Sequence, residues 1–226
     1  MQQYKFYATL LDAFEWYLGS EQPTAEQDFI DKINRKPFQS DAAEKGTAFN
    51  DVMDIVLTQQ HPGEDDKIVT ELVKKHKFNY DLIYDLAIHL HGSVPQFFCK
   101  RELHTSKGSI EIYGYMDYIK YKKAIDLKTT KTYTLGKYAN SWQKIVYPWC
   151  LAGEGIFVDE FEFLVTDFEH IYREPYPVQI DNNAGQLTEI CERLIDFIEA
   201  KRMFITDKKI FGGENNTTTK RTGLLV

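Results

Sequence analysis

Three features are scarce in this chain of 226 residues, and each scarcity removes a class of protein. No apolar run approaches the roughly 18 residues that a membrane-spanning helix needs. The three cysteines lie far apart without a Cys-x-x-Cys pair, so neither a zinc site nor a disulfide framework is indicated. The Gly-x-x-x-x-Gly-Lys-[Ser/Thr] motif does not occur, so the chain carries no helicase motor of that kind.

The remaining composition is that of an ordinary globular protein, with 43% hydrophobic and 27% charged residues. The amino terminus lacks the charged-then-apolar layout of a secretory signal, so a reducing cytoplasm and no membrane partner are expected. No internal repeat or proline-rich linker divides the chain. We therefore expect one domain over residues 1–210 and a flexible tail over residues 211–226.

The distribution of charge is uneven. A net charge of −7 argues against a nucleic-acid partner, but residues 100–145 hold ten basic and four acidic side chains, a local charge of +6. A basic face on an acidic protein can still follow a phosphate backbone. The alternative is a lysine-rich hairpin that is merely solvated.

The spacing of apolar residues predicts an α/β protein with a small mixed sheet and helices on both sides. Helical spacing predicts helices over residues 6–18, from residue 46, and over residues 67–76, 80–90, 134–152 and 187–198. Pro148 is expected to kink the fifth of these helices or to end it early. Period-two alternation predicts strands over residues 97–104, 110–120, 124–128 and 161–165.

Two acids and a lysine meet on one predicted hairpin. A tight turn that pairs Tyr121 with Ala124 places Asp117 opposite Lys128. Asp126 and Lys128 share a face because strand side chains alternate, and cross-strand neighbours lie within reach of one another. The opposite face is expected to be a single apolar core surface, formed by Ile110, Ile112, Met116, Tyr118, Ile125 and Leu127.

This set of side chains suits the hydrolysis of a phosphodiester. Magnesium prefers oxygen ligands and keeps several waters, so two carboxylates suffice when a substrate phosphate supplies the rest. The metal lowers the pKa of a bound water and neutralises charge on the phosphoryl oxygens. Lys128 would hold the scissile phosphate or help to deprotonate the water, and both roles stay open. The simpler alternative is a surface ion pair between aspartate and lysine.

Four short motifs follow one another in a recognisable order: Gly46-Thr-Ala-Phe-Asn50, Gly114-x-x-Asp117, Asp126-Leu-Lys128-Thr and Trp142-Gln143-x-x-x-Tyr147. In order and approximate spacing they resemble the PD-(D/E)XK nuclease superfamily, and within it the RecB-like branch with the RecE-like phage exonucleases. The resemblance extends from about residue 4 to about residue 200. It implies a restriction-endonuclease-like α/β core, with a small mixed β-sheet flanked by helices.

The resemblance also implies a role for each site residue. The catalytic residues would be Asp117, Asp126, Lys128, Gln143 and Tyr147, the last two supporting the lysine or contacting DNA. A Mg²⁺ or Mn²⁺ ion would be held by Asp117, Asp126, the carbonyl of Leu127 and Asn50. Contacts to nucleic acid are expected from Lys131, Lys137, Lys144 and Trp142.

One position departs from the family pattern. The RecB-like branch usually has a metal-binding histidine where this chain has Asn50. An amide oxygen ligates magnesium but carries no charge and suits softer ions poorly. The chain would then use fewer metals, draw on Asp54 one turn further along, or have lost activity. The iron–sulfur members of the branch hold their cluster with four cysteines, so no such cluster is expected here.

The implied function is a metal-dependent deoxyribonuclease, an exonuclease of phage or mobile-element recombination that acts on linear duplex or single-stranded DNA. Relatives of this type form ring-shaped homo-oligomers and act with a single-strand annealing protein, and both partners are expectations from the resemblance. Two alternatives stay open: a nuclease-derived DNA-binding module without catalysis, and a structure-specific endonuclease on the same fold. RNA as the substrate is not excluded.

Overall fold

The computed structural model describes residues 3–37, 40–59 and 63–212. The strands are β1 (Gln3–Phe6), β2 (Val94–Thr105), β3 (Gly108–Lys120), β4 (Lys123–Thr129), β5 (Glu160–Thr166) and β6 (Ile171–Pro177). The helices are α1 (Ala8–Gly19), α2 (Ala25–Ile33), α3 (Asp41–Thr58), α4 (Glu64–His76), α5 (Tyr80–Leu90), α6 (Gln143–Gly153) and α7 (Ile180–Ala200). Residues 213–226, most of the predicted tail, lie outside the described residues.

The six strands form one mixed sheet around the long strand β3. Strand β2 runs antiparallel along one edge of β3, while β1 and β4 share the other edge. On that shared edge, the described pairings stop at Ile112 and resume at Tyr118. We call this gap between β1, β3 and β4 the fork. Beyond it, β4 pairs in parallel with β5, and β5 pairs antiparallel with β6.

Helices cover both faces of the sheet, so the protein is an α/β structure with two cores. Helices α1, α2, α6 and α7 contribute to one core, and α3, α4 and α5 to the other. Strand β5 shows the division, since Phe161 and Phe163 belong to the first core and Leu164 to the second. A strand buried on both faces is typical of the parallel part of a sheet. None of the helices in the described ranges is long and apolar enough to cross a membrane.

Helix α3 begins five residues earlier than predicted. Ser40 caps it by accepting a hydrogen bond from the amide of Ala43 at 3.1 Å. Gly46 therefore lies inside the helix, where a Cβ atom would sit 2.6 Å from Oγ1 of Thr129. The glycine permits a close approach of α3 to β4 and does not open the helix.

The helix predicted over residues 134–152 is shorter at its start. Residues 130–142 form an irregular connection, and α6 begins only at Gln143. The expected early end at Pro148 is wrong, because the helix continues through the proline to Gly153.

The predicted register between β3 and β4 is wrong by two residues. The observed pairs are Tyr118 with Ile125, Ile119 with Ala124, and Lys120 with Lys123. A shift of two keeps every side chain on its face. Its consequence is that Asp117 lies level with Asp126 and not with Lys128.

The single apolar face predicted for this hairpin is also wrong. Ile110, Ile112 and Met116 lie in the first core, whereas Tyr118, Ile125 and Leu127 lie in the second. The described pairings of β2 with β3 skip Gln96 and Asp117, and Gln96 has a φ of +48°. This interruption changes the phase of the alternation, and it does so at the position of Asp117.

Candidate functional site

Asp117 marks the fork. It directly precedes Tyr118, the first β3 residue that pairs with β4, and its Oδ2 accepts the backbone N–H of Leu127 at 2.9 Å. Leu127 lies beyond the residues of β4 that pair with β3, so its N–H bonds to this carboxylate where a paired strand would offer a backbone carbonyl. The contact holds Asp117 beside Asp126, the residue before Leu127.

Asp126 is buried on β4 with its two oxygens in different surroundings. Oδ1 accepts a hydrogen bond from Nε2 of Gln143 at 2.9 Å. Oδ2 lies 2.6 Å from Nζ of Lys128 as an ion pair. Within the described part of the chain, no donor meets Oδ2 with hydrogen-bond geometry. Lys128 is thus the partner of Oδ2, and a carboxylate oxygen has lone pairs for a second one.

The charge at the fork is unbalanced. Burial raises the pKa of Asp117, and the carboxylate of Asp126 raises it further, to about 7, although Lys128 and the amide of Leu127 act in the opposite sense. Burial lowers the pKa of Lys128, but Asp126 and then Asp117 raise it more, so the net pKa is above its ordinary value. Two acids thus share one lysine, an arrangement that a bound cation would complete.

Gln143 and Tyr147 lie one turn apart on α6 and face the same way. The ring of Tyr147 packs on Gly114, where a Cβ atom would lie only 2.5 Å from Cε1 of the tyrosine. Gly114 therefore lets α6 approach β3 three residues before Asp117. Burial raises the pKa of Tyr147, so the phenol stays neutral.

Asn50 lies on α3, half-buried, between two helix–sheet contacts. One turn before it, Gly46 meets Thr129; one turn after it, Asp54 Oδ1 accepts from the hydroxyl of Tyr118 at 3.0 Å. Residues four apart share a helical face, so α3 directs Asn50 to the sheet between these contacts. Its Oδ1 is buried and has no hydrogen-bond partner among the described residues.

The predicted metal ligands consist of two carboxylates, one amide and one backbone carbonyl. In the described ranges, no group of three or more His, Cys, Asp or Glu side chains is placed to hold a metal. The buried oxygens of Asn50 and Asp126 that lack hydrogen bonds are nevertheless of the type that Mg²⁺ prefers. The donor set therefore fits a hard divalent cation that keeps part of its water.

Trp142 is not placed to contact nucleic acid, which corrects the prediction from the sequence. Its side chain is 7% exposed and belongs to the first core. The indole Nε1 donates to Glu15 at 2.6 Å and the backbone N–H donates to Asp12 at 2.6 Å. A ring so covered has no face for a base.

Lys144 is likewise engaged by the protein itself. Its ammonium donates to the carbonyl of Ala139 and lies 4.7 Å from the ring centroid of Tyr176. Burial lowers its pKa. The DNA contact of Lys144 stays a prediction, and it would require the ammonium to leave or share these partners.

Lys131 and Lys137 are exposed on the connection between β4 and α6. Lys137 donates to the hydroxyl of Thr130 and to the carbonyl of Thr132 at 3.1 Å. Both lysines follow Lys128 within ten residues, so the predicted contact of this segment with a phosphate backbone stays compatible with the structure.

Asp12 on α1 contributes to the site, although no sequence pattern indicates it. Its Oδ1 accepts the backbone N–H of Trp142, and its Oδ2 accepts from Oγ of Ser141 at 3.1 Å. Burial raises its pKa. Its partners lie 129 and 130 residues away, so no local pattern could reveal it.

Comparison with known proteins adds one finding. No protein-family model and no curated protein matches the chain. Among solved structures, the chain is similar to one titled "Crystal structure of SSO0001", with 11% sequence identity and a TM-score of 0.40. The match covers 82% of this chain and 89% of that one.

Proposed function

We propose that this chain is a Mg²⁺- or Mn²⁺-dependent deoxyribonuclease built on a PD-(D/E)XK core. The observation that carries the proposal is the fork, which joins Asp117, Asp126 and Lys128 in one site with more negative than positive charge. Gln143 reaches the same site from α6. A buried carboxylate without a cationic partner lowers the stability of the fold, and a bound cation would remove that cost.

Asp117, Asp126, the carbonyl of Leu127 and Asn50 would hold the metal. When bound, the ion would lower the pKa of a coordinated water and neutralise charge on the phosphoryl oxygens. Gln143 fixes Asp126 by donating to Oδ1, so Oδ2, which pairs with Lys128, faces the site. Tyr147 supports Gln143 by packing α6 against Gly114.

We assign Lys128 to the scissile phosphate. Its ammonium lies 2.6 Å from Asp126 and is 24% exposed, so it can reach both the carboxylate and an entering anion. An ammonium held beside carboxylates is a donor of hydrogen bonds and a source of positive charge. Of the two roles that the sequence left open, binding of the phosphate fits this geometry better than removal of a proton.

The substrate class follows from the surroundings of the site. Lys131 and Lys137 extend positive charge from the catalytic strand along an exposed connection. A polyanion that crosses the fork would meet them next, as a phosphate backbone does. We propose linear DNA as the substrate and exonucleolytic cleavage, in the recombination context and with the assembly partners that the family resemblance implies.

The test is degradation of end-labelled linear duplex DNA, with closed circular DNA alongside, in Mg²⁺, Mn²⁺ or EDTA. We expect metal-dependent loss of the linear DNA alone, abolished by Asp126→Ala. The control is Asp159→Ala, because Asp159 is 70% exposed and pairs only with Lys122 among the described ion pairs.

The other outcomes assign a different function. Cutting of the circle would identify an endonuclease, since an exonuclease needs an end. Cleavage of labelled RNA in preference to DNA would change the substrate class. Salt-sensitive binding without cleavage of any substrate would refute the catalytic proposal and leave a DNA-binding module.

A further inference from the structure

A chain of polar contacts leads from helix α1 to Asp126. Oδ2 of Asp12 accepts from Oγ of Ser141 at 3.1 Å. Oγ of Ser141 in turn accepts the backbone N–H of Gln143 at 3.2 Å and lies 3.5 Å from its Oε1. Nε2 of Gln143 then donates to Asp126 at 2.9 Å. Four side chains therefore connect the first helix to the buried carboxylate of the fork.

The hydrogen bond to Asp126 depends on the orientation of the Gln143 side-chain amide. Only the NH₂ end of the amide can donate to a carboxylate, whereas the oxygen end would repel it. The single proton of the Ser141 hydroxyl goes to Asp12 at 3.1 Å, which is closer than Oε1 of Gln143 at 3.5 Å. Asp12 thereby turns the lone pairs of Oγ to the backbone N–H of Gln143, and it fixes the backbone position from which the side-chain amide reaches Asp126.

Asp12 also fixes the start of α6. Its Oδ1 takes the backbone N–H of Trp142, the residue before the first helical residue Gln143. A carboxylate at this place satisfies a free amide and interacts favourably with the helix dipole. Glu15, one turn further along α1, binds the indole of the same tryptophan at 2.6 Å. Two carboxylates of α1 thus hold Trp142, but only that of Asp12 continues to Gln143.

We propose that Asp12 is a positioning residue, which holds Ser141 and the first turn of α6 so that Gln143 keeps its NH₂ group on Asp126. As a result, Asp126 presents Oδ2 to a divalent cation in one fixed orientation. The effect on the cation rests on the proposed function. The orientation of Gln143 does not, since it is a property of the metal-free protein.

The test compares Asp12→Ala and Asp12→Asn with the control Glu15→Gln. The first measurement is the ¹H–¹⁵N spectrum of the Gln143 side-chain amide in the metal-free protein. In the wild type and in Glu15→Gln, one amide proton should be shifted and protected by the bond to Asp126. In Asp12→Ala, both protons should shift to the positions of a solvent-exposed amide.

The second measurement is titration of the same proteins with Mn²⁺, followed by electron paramagnetic resonance. Asp12→Ala should weaken Mn²⁺ binding by roughly tenfold, as the loss of a partner behind a metal ligand typically does. Asp12→Asn should recover part of that loss, because it keeps an acceptor for Trp142 and can donate to Ser141. Glu15→Gln should bind Mn²⁺ like the wild type even where its melting temperature falls.

The two measurements separate the two proposals. An unshifted Gln143 amide in Asp12→Ala, or equal effects of Asp12→Ala and Glu15→Gln, would overturn the positioning role. A wild type that binds no Mn²⁺ while its Gln143 amide responds to Asp12→Ala would refute the metal site and keep the positioning role.

Discussion

Two carboxylate clusters in the same sheet differ in their balance of charge. Glu162 on β5 is fully buried, and it meets Lys123 at 3.0 Å, both ends of the Arg173 guanidinium, and His89 at 3.6 Å. Burial raises its pKa, but Arg173 and Lys123 outweigh burial and hold the pKa below its ordinary value. At the fork, two acids share one lysine, and the pKa of Asp117 rises to about 7.

The difference separates a stabilising cluster from the site of the proposed function. Lys123 and Arg173 offset the cost of burying the charge of Glu162, although Lys123 also pairs with Glu160, so that cluster joins β4, β5 and β6. The fork lacks a cation, and this deficit costs stability that nothing within the described residues returns. Such deficits persist in proteins where function needs them. The comparison therefore predicts opposite responses when a carboxylate is removed from each cluster.

The largest expected effect is that of Asp126→Asn on cleavage. The substitution removes a charge of the proposed metal site, so we expect DNA cleavage to fall by more than about a hundredfold, since a metal contributes several kcal/mol to the transition state. The metal-free variant should melt at the same temperature as the wild type or higher, because Asp117 and Lys128 remain as a balanced pair. Cleavage assays and thermal unfolding measure both. A variant that cleaves normally, or that melts several degrees lower, would remove the distinction between the clusters.

The second effect is that of Glu162→Gln on stability. Loss of this charge leaves Arg173 and Lys123 without their buried partner, so we expect the free energy of unfolding to fall by about 3 kcal/mol. Cleavage by the folded protein should be unchanged. Urea denaturation provides the measurement, and Glu160→Gln the control, because Glu160 pairs with Lys123 nearer the surface and such a pair contributes about 1 kcal/mol at most. Equal losses in the two variants would show that burial of Glu162 has no special weight.

The third effect is the pH dependence of that difference. The folded pKa of Glu162 lies below the ordinary value of 4.5, so its contribution to stability is present above pH 4.5 and is lost as the pH falls through the folded pKa. The difference in unfolding free energy between wild type and Glu162→Gln should therefore shrink below pH 4.5. Urea titrations at neutral and acidic pH would show it. A difference that is constant with pH would mean that charge is not its origin.

The smallest effect compares Lys131, which has no ion pair with the described residues, with Lys144, which contacts Ala139 and Tyr176. Lys131→Ala should reduce the slope of log affinity for duplex DNA against log salt concentration by about 1, because one phosphate contact is lost. Lys144→Ala should leave the slope unchanged, since its ammonium already binds Ala139 and Tyr176. Fluorescence anisotropy in EDTA at several salt concentrations compares the two. A lower slope in Lys144→Ala and an unchanged slope in Lys131→Ala would indicate that DNA contacts α6 and not the connection before it.

The sequence predicts most of this fold because apolar periodicity is local. It identifies the helices around residues 8–19, 41–58 and 180–200 and four of the strands in the described ranges. Strand β1 is missed because its four residues pair with β3 about a hundred residues away. Strand β6 is missed because Pro175 and Pro177 argue against a strand, although an edge strand tolerates them.

The site follows the same division between local and distant information. Period-two alternation alone places Asp126 and Lys128 on one face, where the structure joins them. Register is not local, and the interruption at Gln96 that changes the phase at Asp117 leaves no pattern in either strand. The burial of Trp142 depends on α1, and the role of Asp12 depends on α6. Neither could be read from its own segment.

The most direct measurement is the shift in melting temperature that Mn²⁺ causes in the wild type, Asp117→Asn and Glu162→Gln. A ligand that binds only the folded state at 100 times its Kd stabilises that state by about 2.7 kcal/mol. We predict such a shift in the wild type and in Glu162→Gln, and none in Asp117→Asn. A shift of equal size in Asp117→Asn, or no shift in the wild type, would contradict the claim that the charge deficit at the fork is a cation site.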